Sequence, residues 1–276
     1  MSGAMDQVEG WIEAGAIKLH YLDWGNTSDV PMVLVHGMCG HAHTWDFFAD
    51  SMKQHFHVVA LDLRGHGESS WSEQYRLRDY LADLECFIDS LQLPEFVLVG
   101  HSLGGIISTV YAANNPGRVK RLVIIDIGPE IKAEGLEFRN REWAVEPPFY
   151  NSMDEAIEYA KRIHPYHADS YIKHDLSYGL KRIGAGRLVY KYDRKVRETE
   201  FQSPEWLWDY IKMIVCPALV IHGVESDLLD GEVAQQMAAT LAFGSVVDIE
   251  RAAHTVQGDR PDAFESAIKR FLAENK

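Results

Sequence analysis

The chain reads as an α/β protein with a doubly wound, mostly parallel sheet, and two observations point there. Met32-Val33-Leu34-Val35, His57-Val58-Val59-Ala60-Leu61, Phe96-Val97-Leu98-Val99 and Leu122-Val123-Ile124-Ile125 are nearly continuous apolar runs without polar alternation. Strands covered on both faces of a parallel sheet have this pattern. Between two of them Leu77, Tyr80, Leu81, Leu84, Phe87, Ile88 and Leu91 recur at three- and four-residue spacing, with Asp79, Asp83, Glu85 and Asp89 elsewhere around the helix. Strand, helix and strand at this rhythm make βαβ units.

In chain order, Trp11-Ile12-Glu13 and Ile17-Lys18-Leu19-His20-Tyr21 flank Ala-Gly-Ala and predict a hairpin added at the sheet edge. The four buried runs follow, stopping at His36-Gly37, Asp62, Gly100 and Asp126. From Pro129 to about Ser203 the rhythm breaks. Ser152-Met153-Asp154-Glu155 is a capping box there, opening a stripe of Met153, Ala156, Ile157, Ala160 and Ile163. The α/β rhythm then resumes with a strand at Ala218–Ile221, a helix over Val233–Leu241, a short strand over Ser245–Ile249 and a final helix. That helix carries Ala263, Phe264, Ala267, Ile268, Phe271 and Leu272 on one face. The expected organisation is one domain, residues 1–128 and 206–276, interrupted by a helical insertion at 129–205.

Composition narrows the function classes. Of 276 residues, 46% are hydrophobic and 25% charged, which is ordinary globular usage and excludes intrinsic disorder. The net charge of −14 has the wrong sign for a protein that neutralises phosphates or docks on an anionic membrane face. No apolar run approaches the roughly 18 residues of a membrane helix. Cys39, Cys86 and Cys216 are few, odd in number and far apart, which fits a reducing compartment rather than a disulfide framework. The N-terminus has no basic start and no apolar core, so no signal peptide is expected and the location reads as cytoplasmic.

The chemistry centres on Gly100-His101-Ser102-Leu103-Gly104-Gly105, which joins a buried strand to a helical run. A sharp strand-to-helix turn needs glycines where helix and strand pass closely, and it exposes the serine hydroxyl at a helix N-terminus that favours developing negative charge. The bland alternative is a serine capping a helix in a glycine-rich loop. A serine nucleophile needs a base, and the base needs an orienting carboxylate. Among 13 histidines, His254 follows the last strand, on the carboxyl edge of the sheet where Ser102 also lies. His36, His66, His101 and His222 also sit at strand ends and read as loop supports. Asp227, beyond the strand Ala218–Ile221, is the expected acid. Asp126 is its rival, and the Ile127-Gly128-Pro129 that follows gives it the bland role of fixing a hinge.

His36-Gly37-Met38-Cys39-Gly40 follows the strand Met32–Val35, so the backbone N–H groups of Met38 and Leu103 are the expected oxyanion donors. Cys39 reads as a wall residue. Asp62-Leu63-Arg64-Gly65-His66-Gly67-Glu68-Ser69 reads as a structural loop salt-bridged by Arg64, and no His, Asp or Glu cluster, His41-Ala42-His43 included, has convincing metal-ligand spacing.

Together these motifs, with Gly223…Ser226-Asp227 and Ala253-His254, resemble the α/β-hydrolase superfamily over about residues 10–128 and 206–275. The resemblance implies an eight-stranded sheet, a Ser–Asp–His triad and no metal or cofactor. It also makes 129–205 a helical lid in position and length. Two departures stand out: Ala253 precedes the histidine where glycine is common, and Gly223 lies four residues before Asp227 rather than the common three.

Between Phe138 and Trp206 there are 12 aromatics in 69 residues. Helices over a sheet bury some of them, and the surplus predicts an apolar, charge-poor pocket. Trp45, His101, Trp143, Phe149 and Trp206 are its candidate lining. The expected function is hydrolysis of neutral, hydrophobic carboxylic esters through an acyl-enzyme on Ser102, by a monomer or homodimer whose partner is the small-molecule ester. The same triad on C–C bonds, lactones or amides, or in acyl transfer, is the enzymatic alternative. A ligand receptor on the same fold is the non-enzymatic one. Ser at position 102 excludes an aspartate nucleophile of the dehalogenase and epoxide hydrolase kind.

Overall fold

The structure is a computed structural model and describes residues 7–25, 30–198 and 204–275. Of the N-terminal residues read for a targeting signal, 1–6 lie outside it. The hairpin opens the fold as β1 (Val8–Ala14) and β2 (Ile17–Asp23), turning at Gly15 with φ 64°, a conformation glycine reaches without strain. Then come β3 (Pro31–Val35), α1 (Asp46–Met52), β4 (His57–Leu61), α2 (Leu77–Ser90), β5 (Phe96–His101), α3 (Leu103–Asn114) and β6 (Val119–Ile125). After an insertion, α7 (Leu207–Met213), β9 (Ala218–Gly223), α8 (Gly231–Thr240), β10 (Gly244–Ile249), the one-turn α9 (Val256–Asp259) and α10 (Pro261–Glu274) complete the chain.

Eight strands form one sheet in the order β1-β2-β4-β3-β5-β6-β9-β10. Only β2 runs against the others. Every residue of β4 and β5 is buried, as their unbroken apolar sequences require when helices cover both faces. One apolar cluster packs α2, α3 and α7 on one face; the other packs α1 and α10 on the opposite face. Asp83, read as off the apolar stripe of α2, lies on its buried face instead. There the Arg64 guanidinium donates to both its oxygens, at 2.5 and 2.7 Å. That pair is the salt bridge expected for the Asp62–Ser69 loop.

The insertion between β6 and β9 holds α4 (Ala133–Val145), α5 (Met153–Ile163), α6 (Asp169–Gly179) and a short hairpin of β7 (Leu180–Arg182) and β8 (Leu188–Tyr190). The Ser152 hydroxyl accepts the Glu155 N–H and caps α5 as its sequence predicts. Tyr150, Ala156, Ala160, Ile172, Leu176, Leu180 and Leu188 form a separate small core there.

Candidate active site

Ser102 is the turn between β5 and α3. Its backbone has φ 53° and ψ −118°, a strained conformation for a residue with a Cβ. The turn is held by its N–H donating to Ile125 O and by glycines that let α3 press on the sheet. A Cβ on Gly104 would stand 2.2 Å from Val35 O, and one on Gly100 2.3 Å from Gly104 O. Leu103 opens α3, so its N–H has no acceptor within the helix. The Gly37-Met38 backbone lies against the same turn: a Cβ on Gly37 would approach the Ser102 Cβ to 3.0 Å. His36 braces this loop, donating from Nδ1 to Gly37 O at 2.7 Å while its Nε2 accepts the Leu63 N–H at 3.0 Å.

His254 lies between β10 and α9. Its Nδ1 donates to Asp126 Oδ2 at 2.8 Å, which leaves Nε2 as the acceptor face. The His101 ring lies tilted beside it, centroids 4.7 Å apart, and His101 Nε2 contacts His254 O at 2.9 Å. The carboxylate partner is therefore Asp126 and not Asp227. The reason lies in the strand order: β6 stands between β5, which carries Ser102, and β9, and Asp126 is the first residue past its end. Asp126 also accepts the Gly223 N–H at 2.8 Å and the Ser226 hydroxyl at 2.5 Å. Ser226 is three residues past Gly223, the position at which the resemblance ordinarily puts the acid. The extra residue in this loop carries Asp227 away, to within 3.5 Å of Arg139 Nη2 on α4. That longer gap was the signal available in the sequence.

Burial pushes the Asp126 carboxyl up to about 7, against the hydrogen bonds from Ser226 and Gly223. Burial and the nearby Arg139 charge hold His254 well below the ordinary histidine range, so its imidazole is neutral at neutral pH. Burial likewise lowers His36 to about 4, His66 and His164 to about 3, and His101 well below the ordinary range. A histidine kept neutral in the fold but free to protonate when unfolded contributes stability that is lost as pH falls below about 6.5. Asp126 and His41, whose values are raised, act in the opposite sense. The five lowered histidines outnumber these, so unfolding near pH 5 is expected to take up protons net. The guanidinium midpoint is expected to fall steadily between pH 6.5 and 5; a flat midpoint across that window would contradict it.

A cavity of about 600 Å³ brings Ser102, Leu103, Met38, His101 and His254 together under the insertion. Trp143 lines it, with the Arg197 guanidinium 5.4 Å from its ring. The other three pocket candidates do not. Trp45 is fully buried in the core, stacked on Phe264, because its short helix turns inward; Thr44 faces the cavity instead. Phe149 packs under the Arg187 guanidinium at 3.9 Å, and Trp206 is 45% exposed against Tyr210. Phe138, Tyr159, Tyr171, Tyr190 and Tyr192 supply aromatic wall. The cavity is not charge-poor as expected, since Arg139, Arg162 and Arg197 also line it, with Glu142, Glu146 and Asp227. Periodicity showed helices there, but not which polar residues they turn inward. Among the described residues no cluster of His, Cys, Asp or Glu could hold a metal ion.

The serine turn, sheet order and cavity are those of the α/β-hydrolase fold, and the chain is similar to hydrolases of that fold. A family profile described as alpha/beta hydrolase fold matches residues 30–157. The chain is 28% identical to an esterase of Mycobacterium tuberculosis, over 99% of this chain and 91% of that one. It is 26% identical to mouse epoxide hydrolase 4, over 95% and 78%. A solved E-2-(acetamidomethylene)succinate hydrolase superposes with a TM-score of 0.88 at 23% identity, covering 97% of this chain and 99% of its own. No helix among the described residues is long and apolar enough to cross a membrane.

Proposed function

We propose that this hydrolase cleaves carboxylic esters through an acyl-enzyme on Ser102, with His254 as base and Asp126 as the acid that orients it. The observation that carries the reading is the His254–Asp126 hydrogen bond beside a serine on a strained strand-to-helix turn. His254 Nε2 takes the Ser102 proton as Oγ attacks the ester carbonyl, and the Met38 and Leu103 N–H groups receive the oxyanion. His254 then protonates the departing alcohol. Water, deprotonated by the same nitrogen, releases the acid. Asp126 fixes the Nδ1–H tautomer and balances the imidazolium. Residues 129–205 act as a lid that excludes water, and their aromatic wall supports a hydrophobic portion of the substrate.

An alkyl phosphonate p-nitrophenyl ester should inactivate the protein with one adduct on Ser102, read by peptide mass spectrometry. Cys39 lines the same cavity, but burial pushes its thiol up to about 11, so it stays protonated and weakly nucleophilic. An adduct on Cys39 in place of Ser102 would sink the serine mechanism.

A further inference from the structure

Three arginines line the cavity, and two of them are well paired. Arg162 contacts Glu142 at 2.7 Å, and Arg197 bonds Glu146. Arg139 differs. Its one carboxylate contact among the described residues is Asp227, at 3.5 Å through a single nitrogen, and its buried Nε, like that of Arg197, has no hydrogen-bond partner among them. Asp227 is 34% exposed, so water competes for it. Gln257, one turn past His254 and 4% exposed, lines the same cavity with both amide atoms unpartnered. Buried donors left unmet are rare, and here they surround a space of substrate size. Arg139 is also close enough to the reaction centre for its charge to oppose protonation of His254 and His101.

We propose that Arg139 binds a free carboxylate on the substrate, so that the class of ester taken is a half-ester of a dicarboxylic acid. A guanidinium offers two parallel N–H groups to a carboxylate, and a ligand in the cavity engages Nε and Nη together where Asp227 reaches only one nitrogen. Asp227 is then the resting counter-ion that the substrate displaces. The net charge of −14 does not oppose this, because screening at physiological salt limits distant charges to about 8 Å while the Arg139 contact is direct. The inference rests on the ester reading above and places its substrate in the same cavity.

The test uses monoethyl succinate and its neutral analogue ethyl butyrate. Ser102→Ala protein, which holds ligand without turnover, should bind monoethyl succinate about tenfold more tightly than ethyl butyrate by calorimetry. Adding Arg139→Gln should bring that ratio close to one. No preference in the first protein, or a preference that survives in the second, overturns the proposal. If Arg139→Gln does not fold, adding Asp227→Asn to Ser102→Ala decides the matter: loss of the competing carboxylate should raise monoethyl succinate affinity about threefold or more. A purely structural Arg139–Asp227 tie predicts no gain, and that result also overturns it. Acid release from either ester by wild-type protein is followed separately in a pH-stat. Absence of hydrolysis with the binding ratio intact would refute the ester reading and leave the carboxylate site standing.

Discussion

Replacing Ser102 by alanine is expected to lower ester turnover by about 10⁶-fold, the scale on which a triad nucleophile acts with its base. The fold should survive, since alanine keeps the Cβ that already sits at φ 53° and the turn is fixed by the Ser102 N–H to Ile125 O and by close glycine packing. Residual catalysis of about 10³-fold over water should remain, because the Met38 and Leu103 N–H groups and the cavity walls still bind the developing oxyanion. Burst-free kinetics on p-nitrophenyl butyrate, with matching circular dichroism and thermal midpoint, would read this. A variant that keeps a hundredth or more of wild-type turnover would show that another group attacks the carbonyl.

The sheet was legible because burial on both faces leaves an unmistakable apolar signature. β4 and β5 are buried at every residue; β3, β4 and β6 end just before His36, Asp62 and Asp126, the stops read for them, while β5 runs through Gly100 to His101. The serine turn was legible for a related reason: a Cβ on Gly100 or Gly104 would stand little more than 2 Å from a backbone oxygen, and such close approach constrains sequence strongly. His254 followed from strand order alone. What the sequence obscured is sideways reach. Asp126 and Asp227 both follow buried strands, and the choice between them turns on where each loop goes after its strand. Ile127-Gly128-Pro129 offered Asp126 a plausible alternative role, and that favoured Asp227. The decisive residue was Ser226, whose hydroxyl bonds Asp126 and whose oxygen accepts the Leu228 and Leu229 N–H groups at 3.1 Å. A serine so placed closes the β9 loop around the acid of its neighbouring strand. The cavity walls were obscured more fully. Trp45 and Arg139 both sit in helical segments, and only packing decides that the tryptophan turns into the core while the arginine faces the site.

Asp126→Asn should therefore be the severe acid-site variant, with turnover falling by about 10⁴-fold. Asparagine can still accept the Gly223 N–H through its carbonyl oxygen, which turns its amide NH₂ toward His254 Nδ1 where Asp126 Oδ2 now accepts. Two donors cannot share that contact, so the imidazole is driven to carry its proton on Nε2, the nitrogen that must accept from Ser102. The neutral amide also fails to balance the imidazolium formed at the transition state. Asp227→Asn leaves the tautomer alone, since its carboxylate bonds Arg139 rather than His254, and removes only a more distant charge that favours the imidazolium, so it should cost less than about tenfold with neutral esters. The pair is read by kcat at saturating p-nitrophenyl butyrate, with thermal midpoints to separate chemistry from folding. Asp126 is fully buried, and its raised carboxyl shows how costly its charge is there, so Asp126→Asn should keep a near-native midpoint while losing activity. Were Asp227→Asn the crippled enzyme and Asp126→Asn an active one, the His254–Asp126 bond would be structural. The longer loop would then have to swing Asp227 onto the histidine during turnover.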